Sequence, residues 1–349
     1  MQQTLTPARH HTATLTNLAA GTTYEYRVGN GTNWSRWSRF TTATATETPW
    51  EFLYFGDAQK GLTDVWPNVA AAAYASAPDA KVTIAAGDMI NDSNKDAQWA
   101  EWFAALPQTA SNNIITTPGN HEYTGDGLLL QYRGHFDYPT NGPKVRNETA
   151  WFTDYQGVRF VSLDANAPLG GPDQAIWLDR VLSTNPNKWT VVTFHQPLFS
   201  GSPGRDNIAT RTAWLPILEK HNVDLVLQGH DHVYARGHLT KNEIDGGSNG
   251  PVYVVSNSGG KNYELAGPTN NNWVNNGARR VVGAEGVASF QRIQVQGDRL
   301  VYRSTVAHVR DGGSPQGLAV GDTLDSFTVH KDAAGTKRVV SSQLAPSTR

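Results

Sequence analysis

The chain contains no cysteine among its 349 residues. A protein without cysteine has no disulfide framework, no cysteine-ligated zinc site and no thiol nucleophile. The absence is compatible with an oxidising or a reducing compartment. It therefore excludes kinds of chemistry and leaves the location of the protein open.

Long apolar runs and a strong net charge are absent as well. No apolar run approaches the length of a membrane-spanning helix, and the first residues lack the basic and apolar regions of a signal peptide. The formal net charge is −2, which gives no reason to expect a nucleic-acid partner or binding to an anionic membrane. The length is sufficient for one large domain with a buried core and a small second one.

The sequence does contain a repeated kind of strand ending. Five short apolar, β-branched runs each stop at a glycine, a proline or a polar residue, close to an Asp, Asn or His. These predicted buried strands cover residues 51–55, 81–86, 113–117, 189–194 and 223–227. Because ligands in open α/β sheets gather at the carboxyl ends of strands, the five endings predict a functional site at one edge.

The residues at these endings are oxygen and imidazole donors. They are Asp57, Asp88, Asn120, His195, His230 and His232. Such a mixture suits Zn, Mn, Fe or Co better than a soft, thiophilic site. A lone His-x-His pair is a weak signal, but four other strand ends supply further donors here. A shared carboxylate can bridge two cations about 3.5–4 Å apart, which together clamp a phosphoryl oxygen. The set therefore favours two-metal phosphoester chemistry.

Helical patterns alternate with the strands, which predicts a layered α/β domain. The predicted helices cover residues 64–77, 96–106, 173–184 and 211–221. Further strands are predicted at 159–163, 252–256, 289–295, 300–304 and 325–329. The glycine-containing segments 246–250 and 267–277 are predicted to be surface loops that border the active site.

Residues 1–48 have a different texture, with period-2 runs broken by Gly and Asn turns. Strands are predicted at 11–18, 24–28 and 37–42. The segment resembles the last strands of a fibronectin type III domain, whose full sandwich needs about 100 residues. We therefore expect a partial domain of this kind, in a truncated form of a longer protein. A plain β appendage without a binding role is the alternative.

Taken together, the strand endings resemble the motifs of the calcineurin-like metallophosphoesterases. The series reads Gly-Asp, Gly-Asp, Gly-Asn-His-Glu, His-x-Pro and Gly-His-x-His-x-Tyr-x-Arg. The fibronectin-like segment and the ending His-Val-Tyr-Ala-Arg are similar to the purple acid phosphatase branch. This resemblance implies a layered β-sandwich flanked by helices over residues 49–349. It also implies a dinuclear metal centre and a secreted or periplasmic protein.

The same resemblance assigns roles to the donors around two divalent ions (Zn, Mn, Fe or Co). It implies that Asp57 and His232 bind the first ion and that Asp88 bridges the two ions. Asn120, His195 and His230 complete the second site. A hydroxide between the two ions is the implied nucleophile.

The resemblance implies two catalytic residues, Asp88 and His121, of which His121 binds no metal. Its family counterpart protonates the leaving alkoxide or holds a phosphoryl oxygen, which suits the near-neutral pKa of imidazole. Glu122 is either an orienting partner or a plain surface acid.

Two positions depart from the purple acid pattern. Asn91 stands where that branch has the tyrosine whose phenolate binds Fe(III) and gives the colour. Gln59 stands where the wider family has a histidine, and it is either a weak amide ligand or a neighbour of the ligands. We therefore expect a colourless protein that prefers divalent ions and has a neutral to alkaline optimum.

Substrate contacts are less legible. Arg205 follows the His195 ending and is either a phosphate partner or an ordinary surface arginine. Tyr123 follows His121 and is predicted to wall the pocket, whereas Tyr234 and Arg236 are predicted to support the histidine loop.

The predicted activity is hydrolysis of a small phosphoester, most simply a phosphomonoester. Cleavage of diesters or nucleotides at the same site is the near alternative. A non-catalytic surface- or carbohydrate-binding protein is the alternative from another class. All six ligand positions and His121 are present, which favours an enzyme.

Overall fold

The computed structural model of the chain describes residues 10–166 and 172–342. Its strands are β1 Thr23–Tyr26, β2 Ser38–Thr41, β3 Trp50–Phe55, β4 Val82–Ala85, β5 Asn113–Thr116, β6 Trp151–Tyr155, β7 Val158–Ser162, β8 Trp189–Thr193, β9 Leu225–Gln228, β10 Tyr234–Leu239, β11 Glu243–Ile244, β12 Gly247–Ser248, β13 Val252–Val255, β14 Ala278–Ala284, β15 Val287–Gln296, β16 Arg299–Val309, β17 Thr323–Lys331 and β18 Lys337–Ser341. Its helices are α1 Val65–Ser76, α2 Asp96–Ala104, α3 Leu130–His135, α4 Pro172–Ser183, α5 Ile208–Lys220 and α6 Asn272–Asn275.

Two large sheets form the centre of the molecule. One has the strand order β14-β10-β13-β9-β8-β7-β6, and the other has the order β11-β12-β18-β17-β16-β15-β3-β4-β5. Strands β3, β4 and β5 run parallel to one another, and so do β7, β8, β9 and β13. Each sheet therefore presents a set of carboxyl ends at one edge, where ligands gather in sheets of this kind.

The alternation of side chains along β3 shows how the layers form. Phe52 and Tyr54 pack into the core between the two sheets, whereas Leu53 and Phe55 pack against α1 on the outer face. The other sheet has its own outer core with α4 and α5. Because both faces of β3 are covered, all six of its residues are buried. The predicted α/β class with helices flanking a β-sandwich is confirmed.

Most predicted helices and strands are present with shifted ends. Helix α1 begins after Asp64, whose carboxylate accepts a hydrogen bond from the Val65 N–H at 2.8 Å. The predicted loop 267–277 contains α6. The predicted loop 246–250 instead contributes β12, which pairs with β18 at the edge of the sheet far from β3. The glycines of this segment allow a hairpin at that edge. Because the hairpin lies far from β3, the prediction that the segment borders the site is wrong.

The N-terminal segment is simpler than predicted. β1 and β2 pair antiparallel, with Tyr24 opposite Phe40. Residues 11–18 alternate in sequence but form no strand in the structure, and all of them except Leu18 are exposed, so the alternation produces no buried face. The boundary at residue 48 and the fibronectin-like assignment stay predictions. Among the helices described, none combines the length and the apolar composition that crossing a membrane requires.

Candidate metal centre

The carboxyl ends of strands from both sheets meet at one edge. The Tyr54 hydroxyl on β3 donates to the carbonyl of Gln228 at the end of β9, which ties the two sheets together there. Asp57 forms a parallel bridge with Asn257, just after β13. The loops that follow β3, β4, β5, β8 and β9 consequently bring the predicted donors into one cluster.

Two groups of donors share Asp88. The first consists of Asp88, His195 and His230, and the second of Asp57, Asp88 and His232, with donor atoms inside each group within 4.8 Å of one another. Asp88 Oδ2 lies 3.1 Å from His195 Nε2. His232 Nε2 lies 3.4 Å from Asp57 Oδ2. One carboxylate thus lies between two candidate cation positions.

Unpartnered atoms indicate that this cluster fits cations. Asp57 Oδ2, Gln59 Oε1 and Asn120 Oδ1 are buried and have no hydrogen-bond partner among the described residues. A buried polar oxygen without a partner is costly, and a bound cation removes that cost. Carboxylate, amide and imidazole donors are also the set that borderline divalent metals accept. The residues therefore fit the metals that the sequence predicts.

The backbone of the cluster is unusual where the donors lie. Asp88, His230 and His232 have φ angles of 51°, 76° and 48°, which are uncommon for residues other than glycine. A Cβ at Gly119 would lie 2.2 Å from Asp88 Oδ1, and one at Gly229 would lie 2.3 Å from Asp57 Oδ1. Both glycines are therefore required by close approach to a donor. Strained backbone of this kind concentrates at functional sites.

The charges of the donors depend on one another. Burial raises the pKa of Asp57 to about 8 and lowers the pKa values of His230 and His232 to about 2 and about 3. Burial opposes a charged His195, but the carboxylates of Asp88 and Asp57 outweigh it and raise the His195 pKa to about 10. The raised pKa values of Asp57 and His195 leave both groups protonated near neutral pH, so the His195 imidazolium is paired with one carboxylate, that of Asp88. A cation takes over that charge when it binds, with release of a proton.

His121 lies beside the cluster and reaches solvent, with 21% of its side chain exposed. Its Nδ1 lies 2.7 Å from the Asn91 carbonyl oxygen. Since a carbonyl only accepts, Nδ1 donates, and Nε2 is the nitrogen that exchanges a proton. Nε2 lies 3.9 Å from Asp88 Oδ2. This places His121 beside the reacting region and leaves its Nε2 available.

Glu122 is fully buried and is therefore no surface acid. Its carboxylate accepts hydrogen bonds from the backbone N–H groups of Asp88 at 2.8 Å, Met89 at 2.9 Å and Gly119 at 2.6 Å. It consequently orients the backbone that carries the Asp88 carboxylate. The described hydrogen bonds of the His121 ring do not include Glu122.

The two departures from the purple acid pattern differ in what they contact. Gln59 Nε2 lies 2.9 Å from Asp88 Oδ2 and 3.3 Å from His232 Nε2, so this side chain is inside the cluster. Asn91 acts through its main chain, as the carbonyl that accepts from His121.

The predicted substrate contacts already have partners within the protein. Arg205 Nε lies 2.9 Å from Asp231 Oδ1, and the guanidinium lies 5.3 Å from the centre of the Tyr263 ring. The Tyr123 hydroxyl donates to Asp164 at 2.6 Å. Contact of Arg205 or Tyr123 with a substrate therefore stays a prediction.

Sequence reasoning missed the loop after β13. Tyr263 packs edge-on against His232 with ring centres 4.8 Å apart, and Lys261 Nζ lies 5.1 Å from the centre of the Tyr263 ring. Asn257 contacts His232 directly. The signal was available, because the predicted strand 252–256 also ends on a polar residue followed by glycines.

Comparison with known families agrees with this geometry. The sequence model of the calcineurin-like phosphoesterases matches residues 51–234, which is more than half of the chain. The model of the N-terminal domain of purple acid phosphatases matches residues 1–42.

Curated relatives are about one quarter identical to the chain. An uncharacterised protein of Mycobacterium tuberculosis is 27% identical over 295 residues, which cover 72% of this chain and 55% of that protein. Purple acid phosphatase 22 of Arabidopsis thaliana is 27% identical over 263 residues, covering 71% of this chain and 58% of that protein. The chain thus spans a little over half of the length of these relatives.

Two solved structures share the fold. A purple acid phosphatase isolated from yellow lupin (Lupinus luteus) seeds superposes with a TM-score of 0.72 at 20% identity, covering 91% of this chain and 61% of that one. The structure of PhoD superposes with a TM-score of 0.62 at 14% identity, covering 94% of this chain and 78% of that one. At these identities the likeness concerns the fold alone.

Proposed function

Since this chain belongs to the calcineurin-like phosphoesterase family, we propose that it is a metal-dependent phosphoester hydrolase whose preferred substrates are phosphomonoesters. The observation that carries this proposal is the position of Asp88 in both donor groups. Asp57, Gln59 and His232 would hold one divalent cation, and Asn120, His195 and His230 would hold the other. Cations held there would lower the pKa of a water molecule and neutralise charge on a phosphoryl group.

His121 supplies the proton that the leaving group needs. Its Nδ1–H is committed to the Asn91 carbonyl at 2.7 Å, so the protonated ring donates from Nε2 to the leaving alkoxide. A positioned general acid of this kind contributes about 10²–10⁴-fold to a rate.

Two positively charged side chains beside the candidate metal centre favour monoesters over diesters. Arg205 and Lys261 both lie beside the Tyr263 ring, which contacts His232. The Arg205 charge is shared with Asp231, whereas Lys261 forms no ion pair with any residue in the described part of the chain. A phosphomonoester carries up to two negative charges at neutral pH and a diester carries one, so an unpaired cation favours the monoester.

The metals of this proposal are divalent and the protein is colourless. Asn91 offers no phenolate, and its main-chain carbonyl is the group that faces His121. A secreted or periplasmic location rests on the family resemblance alone, and fractionation of cells that express the complete protein tests it.

A substrate panel with parallel metal analysis tests the function. The chelated protein is assayed with aryl phosphate monoesters, diesters and triesters, before and after addition of Mn, Zn or Co. We expect no activity without metal, recovery with metal, and the largest kcat/KM for the monoester. Lys261→Met should lower kcat/KM for the monoester more than for the diester. Lys241→Met, whose lysine pairs with Glu219, is the matched control and should change neither.

Each other outcome of this panel is informative. A preference for diesters would favour the diesterase or nucleotidase alternative. A metal-loaded protein that hydrolyses none of the esters would overturn the proposal and favour a non-catalytic binding protein.

A further inference from the structure

Asn257 lies in the loop after β13 and is buried beside the candidate metal centre. Its Oδ1 lies 3.3 Å from His232 Nδ1. Its Nδ2 donates to three main-chain carbonyls, those of Gly259 at 3.1 Å, Lys261 at 2.8 Å and Val287 at 3.3 Å. The side chain therefore connects an imidazole of the cluster to the main chain of the loop after β13 and to the first residue of β15.

The three carbonyls determine which way the amide faces. A carbonyl oxygen only accepts hydrogen bonds, so the NH₂ group of Asn257 must point toward them. Oδ1 is then the atom that faces His232, and because an amide oxygen only accepts, His232 must donate from Nδ1. The proton of the neutral imidazole is consequently on Nδ1, and the lone pair is on Nε2.

Nε2 is also the nitrogen that faces the other donors. It lies 3.4 Å from Asp57 Oδ2 and 3.3 Å from Gln59 Nε2. The Tyr263 ring packs edge-on against His232 and limits its rotation. Metal-binding histidines commonly donate their second N–H to an oxygen that fixes the tautomer.

We propose that Asn257 is a positioning residue that holds His232 as the Nδ1–H tautomer, with Nε2 directed at the cation shared with Asp57. This inference rests on the proposed metal-dependent function and concerns metal affinity instead of turnover. It assigns a role to a residue outside the strand endings that the sequence indicates.

The test is a calorimetric titration of metal-free protein with Mn²⁺ or Co²⁺. Asn257→Ala should weaken one of the two bound ions by about 10–100-fold, the usual effect of losing such a partner, and leave the other within about twofold. Asn262→Ala is the matched control, because Asn262 donates to the Gly260 carbonyl in the same loop at 3.1 Å. It should leave both affinities unchanged.

A double-mutant cycle separates positioning of His232 from a general role in the loop. In the His232→Ala background, Asn257→Ala should weaken metal binding no further, because the group through which it acts is gone. An equal additional loss in that background would overturn the inference and make Asn257 a loop anchor only. So would unchanged affinity in the single variant.

Asn257→Asp gives a second arm if the alanine variant does not fold. Aspartate retains an acceptor for the His232 N–H but cannot donate to the three carbonyls. We expect its metal affinity to stay within about threefold of wild type, and a loss as large as that expected for alanine would contradict the inference. A wild-type protein that binds two cations yet hydrolyses no phosphoester would overturn the proposed function alone, since this test reads metal affinity.

Discussion

The polar side chains in the two halves of residues 229–236 differ in their backbone conformation and in their contacts. His230 and His232 have left-handed φ angles of 76° and 48°, and their ring nitrogens lie against other donors of the cluster. Tyr234 and Arg236 lie in strand β10 and both bond to Asp325. Tyr234 donates to it at 2.7 Å, and Arg236 Nη2 donates to its other oxygen at 2.9 Å.

The two halves therefore differ in whether their buried polar groups are paired within the protein. The buried Arg236–Asp325 pair satisfies its own charge, so it stabilises the fold without a ligand. The donor cluster leaves buried oxygens such as Asp57 Oδ2 without a hydrogen-bond partner among the described residues, and a bound cation would remove the cost of burying them. Left-handed backbone such as that of His230 and His232 persists only where the surrounding structure holds it, and strand β10 begins two residues after His232.

The largest effect should come from Asp88, the carboxylate that belongs to both donor groups. Asp88→Asn should lower kcat by about 10³-fold or more, since a bound metal contributes several kcal/mol of charge stabilisation and about 1.4 kcal/mol is tenfold in rate. Asp57→Asn should cost less, because Asp57 belongs to one donor group only. Steady-state kinetics of both variants at saturating metal, with circular dichroism as a folding control, measure the difference. Equal and mild losses would argue against a bridging role.

His121→Ala should lower kcat by about 10²–10⁴-fold while both metals stay bound. The loss should shrink for substrates with an acidic leaving group such as nitrophenol, because these need little protonation. Kinetics across leaving groups of different pKa, with metal content measured in parallel, check this. A uniform loss would indicate that His121 binds phosphate, and loss of metal would show that it is a ligand.

Arg236→Met should instead lower the free energy of unfolding. Removing one partner of a buried ion pair costs about 3–5 kcal/mol, because the other charge is left unpaired. Lys220→Met is the control, since its pair with Asp179 is exposed to solvent and should change the stability little. Urea unfolding of the metal-free protein measures both. A loss for Arg236→Met as small as the control would remove the contrast between the two halves.

The smallest effect concerns Lys337, a buried amine at the start of β18. Its amine donates to the carbonyls of Asn222 and Val223, each at 2.9 Å, yet burial lowers its pKa to about 8. The unfolded chain binds this proton up to a pH of about 10.4, so stability should rise with pH between these two values. Between pH 7.5 and 9.5, wild type should gain roughly 2 kcal/mol of unfolding free energy relative to Lys337→Met. A difference that stays constant with pH would contradict this.

The sequence predicts that these side chains lie close together because the carboxyl end of a parallel strand is a local feature. Asp57 and Asp88 each follow a recognisable apolar run, and parallel pairing of β3 with β4 then brings them together. His195 and His230 reach the same edge through the pairing of β8 with β9.

Contacts between distant segments could not be predicted in this way. Arg236 and Asp325 are 89 positions apart, and only the packing of the two sheets brings them together. The end of the strand at 252–256 is recognisable in the sequence, but the contact of Asn257 with His232 depends on the pairing of β13 with β9, which the sequence pattern does not specify. Residues 11–18 fail in the opposite sense, because their alternation predicts a strand but the segment is largely exposed and is not a strand in the structure.

The most direct test of the two-metal site is to count and locate the ions. Metal-free protein is loaded with Mn or Zn, analysed by mass spectrometry for metal content, and crystallised for anomalous diffraction. We expect two ions per chain, about 3.5–4 Å apart, with Asp88 within ligand distance of both. One ion per chain, or two ions of which only one contacts Asp88, would contradict the bridging role on which the proposed function depends.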